Sequence, residues 1–276
     1  MTAFVQHKGF NPRLLSSRIW GRLPIKNWSV GLGGRYFFDD FMNHPAHISA
    51  QSIGNYASYI DTGVTLKQAA GEATGALEIA GNDADNDEGS ISTGGNSGGM
   101  VAIDASGTGR IAFECRFKKS TIGDNSIAFF LGLAEEGLAA QNTLVDDTGV
   151  LASKDFIGFR NRHDDSDSTA GDGAELDFVW RKAGQATQEH ANIHTLVADT
   201  YVKMGFLYDP GNHPDDKKIK IYVDNGEEES VYVTQTQLDA ATFPDDEELC
   251  LLFATKTGAA ATVTAHLDWW ALGVEE

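Results

Sequence analysis

The sequence predicts an all-β fold of two stacked antiparallel sheets, and three observations carry that expectation. The first lies in residues 200–233, TYVKMGFLYDPGNHPDDKKIKIYVDNGEEESVYV. Val202, Met204, Phe206 and Tyr208 fall on one face of a run, with Tyr201, Lys203, Gly205 and Leu207 on the other. Ile219, Ile221 and Val223 then alternate against Lys218, Lys220 and Tyr222, and Asn225-Gly226 breaks the chain before Val231, Tyr232 and Val233. A period of two with an Asn-Gly break is the signature of antiparallel strands joined by a tight turn. The second observation is composition: 30 glycines and 10% aromatic residues among 276, without long helical patterns, suit a turn-rich β protein. The third is that the other periodic segments between Asp39 and Glu276 are short and bounded by Gly, Asn or Asp. An apolar face repeated on consecutive strands needs a covering layer, so the strands stack as a sandwich.

Taken in order, residues 1–36 mix Arg and Lys with Trp20, Trp28, Pro12 and Pro24 and hold no sustained period. Leu14, Leu15, Arg18 and Ile19 are spaced for one or two helical turns within this arm. The body, residues 37–276, opens on the short apolar run Tyr36 to Phe41. Strands are expected at Tyr56–Asp61, Val64–Ala69, Leu77–Ile79, Ser90–Thr93 and Met100–Ile103. Ile111, Phe113, Cys115 and Phe117 alternate with Ala112, Glu114, Arg116 and Lys118, a strand with one buried and one wet face. Ile127 to Leu133 is apolar on both sides and reads as a central strand, followed by a helical turn or excursion at 134–140. Phe156–Phe159 and Leu176–Trp180 pair across an acidic loop, and Leu238 to Phe243 form a second helical turn. Leu249–Phe253 and Val263–Leu272 complete the sheets, with Trp269 and Trp270 on opposite faces.

The charge is unevenly spread. Residues 1–38 carry Lys8, Arg13, Arg18, Arg22, Lys26 and Arg35 and no acid, whereas 15 basic and 40 acidic residues leave 39–276 at −25 within a whole-chain charge of −19. An acidic body repels nucleic acid and anionic membrane and excludes both as its partners. Arg and Trp together make the arm interface-like, so Arg13, Arg18, Trp20, Arg22, Lys26, Trp28 and Arg35 are the candidate partner-binding residues. Docking of Trp20 and Trp28 on the protein's own body is the alternative. Cys115 and Cys250 both sit in apolar strand-like runs and read as buried thiols. No secretory signal pattern and no apolar run of the ~20 residues needed to cross a bilayer is evident, so synthesis in the cytoplasm is expected.

Sites of chemistry are sparse. Asp83, Asp85 and Asp87 alternate as in calcium loops, and they are the candidate metal ligands; Glu88 and Gly94 occupy positions where the EF-hand needs Gly and Glu, so a solvated acidic turn competes with calcium and no cofactor is expected. His163, Asp164, Asp165, Asp167 and Asp172 form a second acidic loop. Glycoside hydrolysis needs two carboxylates facing each other across a cleft. Glu175 and Asp177 share a strand face, but Trp180 stands where the Glu-x-Asp-x-x-Glu pattern of laminarinase-type enzymes has its acid/base carboxylate. No zinc-protease His spacing, nucleophile elbow or phosphate loop occurs. No catalytic residue is assigned. Tyr56, Tyr59, Trp180, Tyr222 and Tyr232 are candidate sugar-stacking rings, each with core packing as the competing role.

Several of these pieces resemble the concanavalin A-like jelly roll of laminin-G and glucanase type. They are Phe37-Phe38-Asp39-Asp40-Phe41, Gly75 to Ile79, Ile111 to Phe117, Tyr201 to Asp209, Lys218 to Gly226 and Leu267-Asp268-Trp269-Trp270. FFLGLAEEGLA, DFIGFR, LDFVWRKAGQ, YVKMGFLYDP and ATFPDDEEL are further similar to virion proteins of tailed bacteriophages and prophages that resemble head decoration or capsid-stabilising proteins. The resemblance implies a structural role on the virion; together with the basic arm and the missing acid/base carboxylate it gives the expectation of a non-enzymatic protein on the head exterior, with the major capsid protein and further copies of the chain, as a homodimer or homotrimer on a local symmetry axis, as partners. A carbohydrate-binding module recognising surface glycans is the alternative.

Overall fold

The expected antiparallel sandwich is present. The computed structural model describes residues 15–23, 33–42, 56–72, 75–81, 84–94, 98–104, 109–123, 127–145, 151–162, 172–211, 216–258 and 262–275. One sheet runs in the order β13 (Gly226–Thr234), β12 (Lys217–Val223), β11 (Val202–Tyr208), β6 (Ile111–Lys119), β15 (Thr264–Glu275), β4 (Leu77–Ala80) and β3 (Thr65–Gln68). Its eighth strand, β1 (Gly34–Asp39), pairs with the C-terminal half of β15. The facing sheet runs β10 (Gln188–Thr195), β9 (Glu175–Arg181), β8 (Phe156–Asn161), β7 (Ile127–Glu135), β14 (Leu249–Thr257), β5 (Glu88–Ser92) and β2 (Ala57–Ile60). Two one-turn α-helices, α1 (Ser17–Trp20) and α2 (Gln235–Leu238), and a 3-10 turn at Asp172–Ala174 complete the described elements.

The core lies between the sheets and follows the period of two. Phe113 and Phe117 of β6 and Phe206 of β11 face Phe129 of β7, Phe178 of β9 and Phe253 of β14, all fully buried. Phe117 and Phe129 meet with ring centroids 4.2 Å apart, and Phe178 meets Phe206 edge-on at 5.8 Å. Burying each such side chain contributes on the order of 1.5–3 kcal/mol, so the inter-sheet layer rather than hairpin propensity holds the strands together.

Four local expectations are revised. The β12–β13 turn is made by Asp224 and Asn225, both at positive φ (47° and 68°), and Gly226 already begins β13. Asn and Asp tolerate the left-handed region that such a turn requires. Met100–Ile103 is not a strand; Val101 forms an isolated bridge to Leu249. The helical turn expected at 238–243 arrives earlier as α2, because Thr234 accepts from the Gln237 amide at 3.2 Å while Gln237 Oε1 accepts from the Thr234 amide at 2.9 Å. β10 went unforeseen: QEHANIHT is largely polar, as an edge strand with its outer rim in water permits.

Candidate functional site

In this sandwich both outward sheet faces are candidate sites, because a binding groove or catalytic cleft needs an open concave wall. On each, an apolar patch is covered by a segment of the chain itself. On the eight-stranded sheet, the outward side chains Ala112 of β6, Leu207 of β11, Tyr222 of β12 and Trp269 and Ala271 of β15 form an apolar patch. A register shift between Leu267 and Trp269 on β15 turns Trp269 outward while Trp270 stays in the core, as expected from their adjacency. Leu15, Ile19, Trp20 and Leu23 of the arm cover that patch and are themselves buried. Trp20 meets Tyr36 of β1 edge-on at 5.5 Å.

A carboxylate sits at the centre of this contact. Glu114 of β6, read from the sequence as a wet-face residue, is only 2% exposed. It accepts from the Ser16 backbone amide at 3.0 and 3.2 Å and from the Trp20 indole Nε1 at 2.8 Å. Burial pushes its pKa up to about 7; the Ser16 amide, the Trp20 indole and Lys203 oppose that shift without cancelling it. Beside it, Gly205 of β11 leaves a notch: a Cβ there would stand 2.9 Å from Ile19 Cδ1 and 2.5 Å from the Phe113 carbonyl oxygen. The helical spacing of the arm was legible in the sequence; its recipient glutamate, separated by 94 to 98 positions, carried no signal.

The seven-stranded sheet carries a second covered patch. Ala128, Phe130 and Ala134 of β7, Phe156 of β8, Val179 of β9 and Leu252 and Ala254 of β14 point outward and are buried under Leu138, Leu144 and Leu151. These leucines belong to the excursion after β7, here a flap between β7 and β8 described at residues 136–145 and 151–155. Gly132 and Gly158 face each other across β7 and β8, and a Cβ on either would stand 3.1 Å from Phe130 Cζ, so the glycine pair makes room for that ring. Glu88 of β5 and Lys256 of β14 lie 3.6 Å apart, at 0% and 1% side-chain exposure. Glu88 accepts from the amides of Asn142 (2.7 Å) and Leu144 (3.0 Å), and Lys256 donates to the Leu144 carbonyl (2.8 Å). Burial raises the Glu88 pKa against those donors and the lysine.

Of the two carboxylates singled out for hydrolysis, which alternate on β9 with the core residues Leu176 and Phe178, Asp177 is engaged in an ion pair. Asp177 of β9 is buried, 3.3 Å from Arg160 of β8, and accepts from the Asn192 amide at 3.0 Å. Arg160 also pairs with Glu189 of β10. Trp180 points into the core, 5.3 Å from the His190 ring, and carries no carboxylate to the outer face. Among the sugar-stacking candidates, Tyr56, Trp180 and Tyr222 are buried, which removes them as exposed platforms; Tyr59 and Tyr232 are partly exposed. Tyr59 donates to Asp61 at 2.6 Å, and Lys217 lies 5.0 Å over the Tyr232 ring.

Of the arm candidates, Trp20 packs on this chain's own sheet, while Arg18 and Arg22 are exposed. With Ser17, Gly21, Tyr222 and Glu227 they line an open cleft of about 310 Å³. Burial, then the neighbouring Glu227, pushes the Tyr222 hydroxyl up to about 12. Arg35 is on β1; Arg13, Lys26 and Trp28 lie outside the described residues. So does Asp83 of the calcium candidates; Asp85 and Asp87 are described, and the Asp87 amide donates to Thr257 Oγ1 at 3.0 Å. Among the described residues, no cluster of three or more His, Cys, Asp or Glu gathers as a metal site, and no helix is long and apolar enough to cross a membrane.

No family model and no curated protein matches this sequence. Solved structures do match in fold. A protein of unknown function from Shewanella oneidensis MR-1 is 16% identical with a TM-score of 0.54, over 92% of this chain and 94% of that one. A Bacteroides ovatus GH16 protein of a mixed-linkage glucan locus, solved with a G4G4G3G product, is 12% identical with a TM-score of 0.53, over 85% and 98%. Peanut lectin is 13% identical with a TM-score of 0.51, over 87% and 97%. The chain therefore has the concanavalin A-like jelly-roll sandwich of lectins and glucanases, and at these identities the likeness is one of fold.

Proposed function

We propose that this chain is a non-enzymatic structural protein of a bacteriophage particle, a sandwich body that stabilises the capsid by bridging neighbouring subunits on the head exterior. The observation that carries the non-enzymatic reading is that the chain's own segments cover the apolar patch on each outward sheet face, the arm over one and the flap over the other. Asp177 is tied to Arg160 and Trp180 lies in the core, so this strand offers no free acid/base carboxylate at the position where a glucanase-type pattern would need one. The resemblance of the FFLGLAEEGLA and LDFVWRKAGQ segments to tailed-phage virion proteins supports the particle assignment. Loops, edges and the exposed arginines of the arm then supply the contacts, and many modest contacts add through multivalency on a shell.

The test is to delete the coding sequence from the producing phage and to analyse purified particles. The protein is expected in stoichiometric amount on wild-type heads, and heads without it are expected to rupture more readily under osmotic shock. Absence of the chain from purified particles refutes the proposal. A second reading, glycan binding, is favoured by the fold-level likeness to peanut lectin and by the partly exposed Tyr59 and Tyr232. Binding of the purified chain on a glycan array supports it, and a flat array eliminates it.

A further inference from the structure

Residues 15–23 meet the eight-stranded sheet as a short peptide meets a groove. Four apolar side chains, Leu15, Ile19, Trp20 and Leu23, enter the patch, and two donors from the same run converge on Glu114. A central tryptophan with its indole N–H satisfied is the pattern of an interface anchor. Everything that receives the segment lies on β6, β11, β12 and β15 or on β1, and none of it depends on which copy of the chain supplies the segment. We propose that this socket is a docking site for residues 15–23 of a second copy, so that neighbouring copies hold one another by exchanging arms.

Two further observations favour a second copy as the occupant. Ten residues, 24–33, separate Leu23 from the start of β1, a length of chain that spans at most about 35 Å. It permits return to the chain's own socket or entry into a neighbour's across a local two-fold axis. The arm's +6 charge is also opposite in sign to the body's −25, so a second body attracts the arm before it docks. Exchange is reciprocal about such an axis, and each copy then contributes one arm and one socket. The proposal deepens the reading of this chain as a bridging protein and rests on it only in treating the arm as the fastening element.

The experiment uses the full chain. One preparation carries a photoreactive phenylalanine analogue at Leu23, a second is isotopically heavy and unmodified, and the two are mixed at high concentration, incubated and irradiated. Cross-linked peptides joining the light arm to the heavy body at β12 or β15 are the expected result. Cross-links confined to light–light pairs overturn the proposal and make the arm an internal plug. A complementary pair guards against a poorly incorporated probe. Trp20→Ser disables the arm and leaves the socket intact, while Glu114→Leu with Ala271→Trp blocks the socket and leaves the arm intact. Each variant is confirmed folded by circular dichroism; mixing is expected to double the mass seen by light scattering, and two unchanged monomer peaks overturn the proposal. Both measurements use purified protein without particles, so failure of the particle assignment leaves their outcome interpretable.

Discussion

Removing the titratable group from the arm socket, by Glu114→Gln, isolates one carboxyl among 40 acidic residues. Glu114 is buried in the folded chain with its pKa pushed up to about 7, against an ordinary value near 4.5. A raised pKa means that protonation favours the docked, folded form. The stabilisation is fully present below the ordinary value and is lost as pH rises through about 7. The difference between the two pKa values corresponds to about 3 kcal/mol across that window. The groups facing Glu114 are the Ser16 amide, the Trp20 indole, Lys203 and the Tyr36 hydroxyl, whose own pKa is raised by burial and then by Glu114. Burial moves the Tyr36 hydroxyl upward, away from that window. The assay is urea unfolding of wild type and variant in steps from about pH 5 to about pH 8, with the difference between the two curves as the readout. The substituted amide still offers an acceptor to Trp20, so a constant offset carries no weight; the slope does. Parallel stability profiles would refute the argument, because a solvated carboxylate with an ordinary pKa gives no slope there.

Three further perturbations follow from the same geometry. Arg160→Met leaves Asp177 buried without its cation and is expected to cost roughly 3–5 kcal/mol in urea unfolding, with Asp177→Asn in that background recovering part of the loss. Lys256→Met does the same to Glu88 and is expected to unpin the flap, read as faster limited proteolysis between residues 136 and 155; unchanged cleavage counts against the ion pair as the pin. Gly205→Ala places a methyl 2.5 Å from the Phe113 carbonyl oxygen and 2.9 Å from Ile19, and is expected to cost about 1–3 kcal/mol while raising the accessibility of Trp20 to a fluorescence quencher.

How much of this was legible in the sequence depends on range. Alternation at Val202 to Tyr208 and at Ile111 to Phe117 gave strands and their core faces, because a period of two is a local property that the inter-sheet layer rewards. Helical spacing around Leu15 and Ile19 likewise anticipated α1. Strand periodicity assigns side chains to two faces without saying whether the outer face meets water. Ala112 and Glu114 read as a wet face and are buried, because a segment 94 to 98 positions away lies over them. The link of Asp177 and Glu189 to Arg160 escaped notice for the same reason: the three come from three strands, and only the sheet order brings them together. β10 was missed because its polar edge pattern resembles loop.

The two covering segments solve one physical problem with one device. An apolar outer sheet face has to be shielded, and the shielding chain brings backbone amides into a place without water. In each case a buried glutamate on a strand receives them: Glu88 takes the Asn142 and Leu144 amides of the flap, and Glu114 takes the Ser16 amide of the arm. The difference lies in the counter-charge. Glu88 has Lys256 at 3.6 Å, almost wholly buried, and that lysine also holds the Leu144 carbonyl, so the flap is bound through both signs of charge. Among the described residues Glu114 forms no ion pair, and Lys203 acts on it only through the longer-range field. A buried carboxylate held by donors alone bears more of its desolvation cost when charged. The arm is therefore the more weakly held of the two covers near neutral pH. Weaker holding is what the proposed exchange asks of the arm, and the flap, with its buried ion pair, lacks it.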